Sequence, residues 1–391
     1  MTNAVSFTTE RAVIRLIVAG GGTGGHTFPT LTTVNTLRDQ LTAQGVKLEV
    51  LWIGQAASLE ERVAADNDIA FAAVATGKIR RDRNPLKMIS RANLTDMCRV
   101  PVGVGQAWRA VGRFAPDVVL ATGGYVAVPV GLAAWLRRRP LVIHEQTTRV
   151  GLANRVLARV ADVVALSSES SVALLPRSSC TVVTGNPVRP EIFAGQRDKA
   201  LAGLGLSGFD PALPTVYVTG GAQGAVQINT VVRELLPWIL LRANVIHQCG
   251  KSGIAGLRDN ASGLDPDLVD RYWLTEFVGA ELPDVLALAD VVISRSGAGT
   301  IAEVTALGKA AVLIPLASSA GGEQAHNARV LADQGAAVAL LGEVSAESLR
   351  AALEQLLDDP AHRDSVARQA RLCGRPDAAD CLARVVLSAA G

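Results

Sequence analysis

Three clusters of glycine each end a β-rich run and lead into a run with helical spacing. The first is Gly20, Gly21, Gly22, Thr23, Gly24, Gly25, followed at once by His26. The second is Gly220, Gly221, Ala222, Gln223, Gly224, Ala225, and the third runs from Arg295 and Ser296 through Gly297, Ala298, Gly299 and Thr300 to Glu303. Without a Cβ the backbone turns tightly and lets an anion come close, while the amino end of the next helix offers unpaired amides and a positive dipole end. Sites of this kind hold phosphates. An imidazole at the mouth of one, His26, suits removal of a proton from a sugar hydroxyl near neutral pH, or a simple pairing with phosphate. Glu303, in the first turns of its helix, can accept from two neighbouring hydroxyls, as on a ribose; the plain alternative is a carboxylate serving the helix dipole. His144 reads as the end of a buried strand, and Glu145 beside it is the better polar contact.

Gly20, Gly22 and Gly25 also fit the dinucleotide fingerprint, with Glu49 in the next strand as a poorly positioned ribose ligand, so a nicotinamide oxidoreductase is a rival reading. One dinucleotide fold does not require the second and third clusters. Two domains, each aiming helix amino ends at a cleft, suit a substrate pair in which both members carry diphosphates.

The elements that must position these groups recur along the chain. Short apolar runs at 14–19, 48–53, 118–121, 141–144 and 163–167 predict strands, with helical spacing of Leu31, Val34 and Leu37 between the first two. The pattern restarts at 216–219 and continues at 245–248, 291–294 and 311–315. Strands alternating with helices predict parallel sheets of βαβ units. The expected organisation is α/β throughout: two doubly wound, Rossmann-like domains, 1–186 and 187–360, joined where proline and polar content rise. A helical tail, 361–391, interrupted at Gly374 and Pro376, is expected to pack back on the first domain.

With 391 residues, 49% hydrophobic and 19% charged, the chain suits two or three globular domains and excludes a disordered one. Its net charge of +2 argues against nucleic acid as a partner. Five scattered cysteines with no CxxC spacing argue against a structural zinc site or a disulfide framework. No signal peptide is expected from the polar amino end, and the longest apolar run, 125–136, is short of the roughly 20 residues that span a bilayer. Charge is unevenly spread. Between Lys78 and Arg159 there are 15 basic and four acidic residues, an excess of +11 that leaves −9 elsewhere. Within it, Ile79, Arg80, Arg81, Leu86, Ile89, Trp135 and Arg137 mix cations with apolar side chains, as suits an anionic membrane surface; a merely solvated basic face is the alternative.

At these motifs the sequence resembles the MurG family, glycosyltransferases that move N-acetylglucosamine from UDP to the undecaprenyl-diphosphate muramyl-pentapeptide precursor of peptidoglycan. The similarity runs in order through Gly21 to His26 with Phe28 and Pro29, Thr122 to Tyr125, His144 to Gln146, Gly151 to Arg155, Gly185 to Arg189, Gly220 to Ala225, Arg295 to Glu303, and Glu323, Gln324, Asn327 and Ala328. The resemblance implies the two-domain GT-B fold, an acceptor domain followed by a nucleotide-sugar domain, facing across a cleft. It puts the acceptor diphosphate near Gly21, Gly22, Thr23, Gly24, Gly25, Thr122, Gly123, Gly124 and Tyr125. It puts the UDP-sugar near Arg189, Gly221, Ala222, Gln223, Gly224, Val278, Ala298, Gly299, Thr300, Glu303, Glu323 and Gln324, with Thr23, Gly24, Gly25 and Thr147 also close to the donor. His26 becomes the candidate base and Glu145 a second candidate catalytic group.

Two residues depart from the family pattern. Ala222 stands where a serine is usual, and Thr147 where an asparagine follows the His-Glu-Gln triplet. A related enzyme glycosylating another lipid-linked or secondary-metabolite acceptor is therefore an alternative, and a non-catalytic UDP-sugar-binding protein a more distant one. The expected reaction is inverting and gives a β linkage. It needs no cofactor and no metal, UDP-GlcNAc being the donor substrate, because no paired acidic motif accompanies the donor loops. The expected location is peripheral, on the cytoplasmic face of the cell membrane.

Overall fold

The computed structural model describes residues 12–77 and 91–391. Of the membrane-facing residues expected from sequence, Ile79, Arg80, Arg81, Leu86 and Ile89 lie outside the described residues. The chain divides into two compact units, Met1–Pro187 with Asp377–Gly391, and Val188–Pro376.

The first unit is built on seven parallel strands in the order β3-β2-β1-β4-β5-β6-β7: β1 Val13–Gly20, β2 Lys47–Gly54, β3 Ala70–Ala73, β4 Val118–Gly123, β5 Leu141–Glu145, β6 Val163–Leu166 and β7 Thr181–Val183. Helices α1 Gly24–Thr42, α2 Leu59–Asp66, α3 Arg91–Phe114, α4 Ala127–Leu136 and α5 Leu152–Leu157 connect them. Because helices cover both faces, the central strands are unbroken apolar runs rather than alternating ones; every residue of β4 and β5 is buried. The indole of Trp52, fully buried in β2, donates to the Gly20 carbonyl at 3.2 Å and so ties down the end of β1 just before its glycine loop.

The second unit repeats the plan with six parallel strands, β10-β9-β8-β11-β12-β13: β8 Thr215–Thr219, β9 Asn244–Gln248, β10 Tyr272–Thr275, β11 Val291–Ser294, β12 Ala310–Leu313 and β13 Val338–Ala339. Its helices are α6 Arg197–Gly203, α7 Val226–Leu240, α8 Ile254–Ala261, α9 Leu282–Leu288, α10 Ala298–Leu307, α11 Glu323–Asp333, α12 Ala346–Leu357 and α13 Pro360–Cys373, with a single helical turn at Pro266–Val269. The buried face of α7, Ile228, Val231, Val232, Leu235, Leu236 and Ile239, has the three- and four-residue spacing of a helix lying on a sheet. Ser345 caps α12, its hydroxyl accepting from the Ser348 amide at 3.2 Å.

The stretch 361–391, read from sequence as one tail, is divided between the units. Helix α13 packs on α10 and β12 of the second, whereas α14, Ala378–Ala390, packs on α1 of the first and contributes Leu382, Ala383, Val386 and Ala390 to a core with Leu16, Val18, Val34 and Leu37. The break at Gly374 and Pro376 is where the chain leaves one unit for the other.

Candidate active site

In each sheet the strand order reverses once, between β1 and β4 in the first and between β8 and β11 in the second. At such a point the connections leave in opposite directions, so the carboxyl ends of the two strands open a crevice. The glycine loops lie there. Gly20 to Gly25 follow β1, Gly123 and Gly124 end and follow β4, Gly220 to Gly224 follow β8, and Ser296 to Gly299 follow β11. Glu49 does not: it sits within β2 opposite Arg15, pairing with Arg15 at 3.2 Å and Lys47 at 3.1 Å away from the strand's carboxyl end, so it is no ribose ligand.

In the first unit, the two crevice loops are locked together by backbone. Gly124 has φ +81°, and a Cβ there would overlap the Gly21 carbonyl; Gly123, at φ +103°, would bring a Cβ to within 3.0 Å of the His26 ring. Glycine is required at both. The loop is not uniformly open to an anion. Glu60, only 1% exposed, accepts from the amides of Gly22 and Gln55, each at 3.2 Å, and a Cβ on Gly21 would strike its carboxylate. Gly21 and Gly22 thus face a buried acid. Gly24 and Gly25, in the first turn of α1, have amides with no acceptor in their own helix. Sequence reasoning missed Glu60; its signal is a glutamate amid the buried face of a short amphipathic helix.

His26 lies in that first turn, partly exposed. Its Nδ1 is 2.9 Å from the Thr122 carbonyl and 3.0 Å from Gln146 Oε1. The hydroxyls of Thr30 and Thr122 both reach the His26 carbonyl, at 2.8 and 3.0 Å, and lie 2.7 Å apart, which fixes the backbone that carries the ring. A carbonyl only accepts, so Nδ1 carries the hydrogen, and the lone pair of neutral His26 is on Nε2. Tyr125, at the start of the next connection, is exposed.

His144 is fully buried, with Nε2 2.9 Å from the Gly185 carbonyl. Burial pushes its pKa down to about 4, with nearby His26 adding to the effect and the bond to Gly185 opposing it. Glu145, 3% exposed, has both oxygens engaged: Oε1 accepts from the Thr147 amide at 3.1 Å and hydroxyl at 2.9 Å, and Oε2 from the Gly151 amide at 2.8 Å and Asn154 Nδ2 at 3.0 Å. As arranged, this carboxylate braces the loop between β5 and α5. The Thr147 hydroxyl is likewise turned inward, towards Glu145 and the Arg149 carbonyl at 2.6 Å.

In the second unit, Gly221 has φ +81° and its amide donates to Thr219 Oγ1 at 3.0 Å, while the Gly224 amide closes the turn on the Gly221 carbonyl at 2.9 Å. Ala222 and Gln223 form the exposed crown. A residue the sequence reading passed over, Gln248, ties this loop to Val278: its Nε2 donates to the Gly221 carbonyl at 3.0 Å and its Oε1 accepts from the Val278 amide at 2.8 Å. The signal was a glutamine at the carboxyl end of a strand predicted to be buried.

Glu303 follows Ala298, Gly299 and Thr300 in α10 and faces Arg189, whose Nη2 is 3.5 Å from Oε1. Burial raises the Glu303 pKa while the Arg189 charge and hydrogen bond lower it. Gln324 directs Oε1 to the Leu316 amide at 2.9 Å, beside Glu323 in the first turn of α11. Arg295 is spent on structure, its Nη1 meeting Gln227 Oε1 at 2.8 Å and the carbonyls of Ile314 and Pro315 at 3.1 Å.

Comparison with known proteins decides the family. The glycosyltransferase family 28 N-terminal domain matches residues 16–166 and its C-terminal domain residues 215–382. A UDP-N-acetylglucosamine–N-acetylmuramyl-(pentapeptide) pyrophosphoryl-undecaprenol N-acetylglucosamine transferase of Moorella thermoacetica is 36% identical over 384 residues, 96% of this chain and 98% of its own. The chain belongs to the MurG family. A Bacillus anthracis transferase of the same description is 35% identical over 88% of this chain and 91% of its own. The crystal structure of Acinetobacter baumannii MurG matches with a TM-score of 0.72 at 28% identity, over 96% of this chain and 99% of that one. The fold is therefore GT-B, and MurG membership overturns the oxidoreductase reading of Gly20, Gly22 and Gly25.

Proposed function

We propose that this chain transfers N-acetylglucosamine from UDP to the 4-hydroxyl of the muramyl sugar on an undecaprenyl-diphosphate-linked peptidoglycan precursor, the lipid I to lipid II step, with inversion to a β(1,4) linkage. The observation that carries the mechanism is the partly exposed His26 ring in the first turn of α1, with Nδ1 committed to a carbonyl and the lone pair left on Nε2. The acceptor hydroxyl gives its proton to Nε2 as its oxygen bonds to the anomeric carbon. The bond from that carbon to the UDP oxygen breaks on the opposite side, and the electron pair leaves with UDP. The amides of the loop after β8 and the amino end of α10 stabilise the growing charge on the diphosphate, so the reading uses no metal and no cofactor. Gly24, Gly25, Gly123 and Gly124 serve the acceptor diphosphate, and Tyr125 borders it. Glu145 supports the reaction through the loop it braces. Offering a panel of lipid-linked acceptors with several UDP-sugars and reading product mass tests the assignment; no product with UDP-GlcNAc and the muramyl acceptor ends it.

Glu303 is the proposed ribose ligand, with Arg189 beside it. Glu303→Ala is expected to weaken UDP binding by about 1.5–3 kcal/mol, the scale of hydrogen bonds to a charged group. Calorimetry with UDP giving equal affinities for parent and variant removes Glu303 from the ribose.

The proposed location is peripheral, on the cytoplasmic face, and among the described residues no helix is long and apolar enough to cross a membrane. Trp135 and Leu136 end α4 more than half exposed, next to exposed Arg138. Arg137 is already occupied, its guanidinium 3.4 Å over the Trp108 ring. Each cation near an anionic surface contributes about 1 kcal/mol. Replacing Arg80, Arg81, Arg83, Arg138 and Arg139 by glutamine is expected to abolish sedimentation with phosphatidylglycerol vesicles while turnover of a short, water-soluble acceptor survives. Equal sedimentation of variant and parent makes this charge a solvated face only.

A further inference from the structure

We propose that His144 and Gln146 are positioning residues that, together with the Thr122 carbonyl, hold the proton of His26 on Nδ1. The inference rests on the reading of His26 as base for its importance, but not for its geometry.

A neutral imidazole has one donor and one acceptor nitrogen, and nothing in the ring itself binds it to one choice. Here the Thr122 carbonyl, 2.9 Å from His26 Nδ1, favours one choice directly, and a relay through Gln146 reinforces it from a distance. The Gly185 carbonyl, 2.9 Å from His144 Nε2, only accepts, so Nε2 of His144 holds its hydrogen. The lone pair of His144 then lies on Nδ1, 3.2 Å from Gln146 Nε2, which donates to it. The same amide nitrogen also meets the carbonyls of Thr122 and His144. Three acceptors around one side of the amide fix its orientation, and Oε1 is left to point at His26 Nδ1, 3.0 Å away. An amide oxygen only accepts, so the hydrogen of His26 sits on Nδ1, shared with the Thr122 carbonyl at 2.9 Å, and Nε2 keeps the lone pair.

Both relay residues are buried, Gln146 at 4% exposure and His144 at 0%, so water does not compete for these bonds. The relay also needs His144 uncharged. A second hydrogen, on its Nδ1, would confront the Gln146 amide hydrogens and favour a flipped amide, offering His26 a donor where it now finds an acceptor. Burial keeps His144 neutral well below physiological pH.

The test is ring-nitrogen NMR of the full ¹⁵N-labelled chain, with His26 assigned by the signals missing from His26→Ala. The expected result is a protonated Nδ1 and an unprotonated Nε2. In Gln146→Met, which keeps the side-chain length and removes both polar atoms, only the Thr122 carbonyl still favours the Nδ1 hydrogen, and the Nε2-protonated tautomer of His26 is expected to become detectable. There kcat should fall in proportion to the Nδ1-protonated population lost, at nearly unchanged UDP affinity, because a base held in the wrong tautomer fails at the proton and not at the donor. The unmodified chain alone can overturn the proposal, whether or not the variant folds: a hydrogen on His26 Nε2 does so. An unchanged tautomer in Gln146→Met also overturns it, whatever the kcat. A changed tautomer with unchanged kcat supports the relay and instead removes His26 as the base.

Discussion

Replacing His26 by alanine is expected to lower turnover by about 10²–10⁴ while UDP affinity stays nearly as it was. The asymmetry follows from where the groups are. His26 belongs to the first unit, and Arg189, Glu303 and the loop after β8, which carry the proposed UDP contacts, belong to the second. Truncation also leaves the α1 backbone intact, because the hydroxyls of Thr30 and Thr122 hold the carbonyl of residue 26 whether or not the ring is present. Steady-state kinetics beside UDP calorimetry checks both halves. A fall of less than about tenfold means another group takes the proton.

Gly124→Ala is the second large effect expected, and it acts on the scaffold. At φ +81° an alanine is strained by about 1–2 kcal/mol, and its methyl overlaps the Gly21 backbone, which has no rotamer with which to yield. Overpacking of this kind adds about 1–3 kcal/mol, so a total of about 2–5 kcal/mol is expected. For a unit of this size that lowers the melting temperature by roughly 4–20 °C, and activity is lost because the two crevice loops part. Gly105→Ala is the control. Nothing lies within 4 Å of a Cβ there, inside α3, and alanine in a helix gains about 0.5–1 kcal/mol over glycine. Equal melting temperatures for Gly124→Ala and the parent would falsify the account of the locked loops.

What the sequence made legible divides along physical lines. The runs at 14–19, 118–121, 141–144, 216–219 and 291–294 are central strands, buried on both faces, and their continuous β-branched character announces them. The strands not predicted, β3, β7, β10 and β13, are the four sheet edges. An edge strand is only partly covered and short, so β3 is three alanines around Phe71, weak in β-branched residues, and β10 a mixture of aromatic, aliphatic and polar residues. The glycine clusters were legible for a related reason, since backbone approach leaves a mark in residue type. The buried polar ties were not. Glu60, Gln146 and Gln248 work through hydrogen bonds to backbone groups or side chains distant in sequence, and spacing along the chain carries no trace of such partners. Glu145 shows the converse: its position beside the crevice was legible, but not that both its oxygens are taken by its own loop.

Helix α14 follows the whole second unit in the chain, yet its Leu382 and Val386 fill the core beneath β1 and α1, and Asp380 receives Gln40 Nε2 at 2.8 Å across 340 residues. On the ribosome, the first sheet can assemble early but stays open on that face, with Val34 and Leu37 exposed, until the second unit has been made. Completion of the first unit is thus deferred to the end of synthesis. The loop closure involved is among the longest the chain permits, which makes the docking of α14 a late event in folding and leaves the apolar face it covers open to chaperones and to aggregation until then.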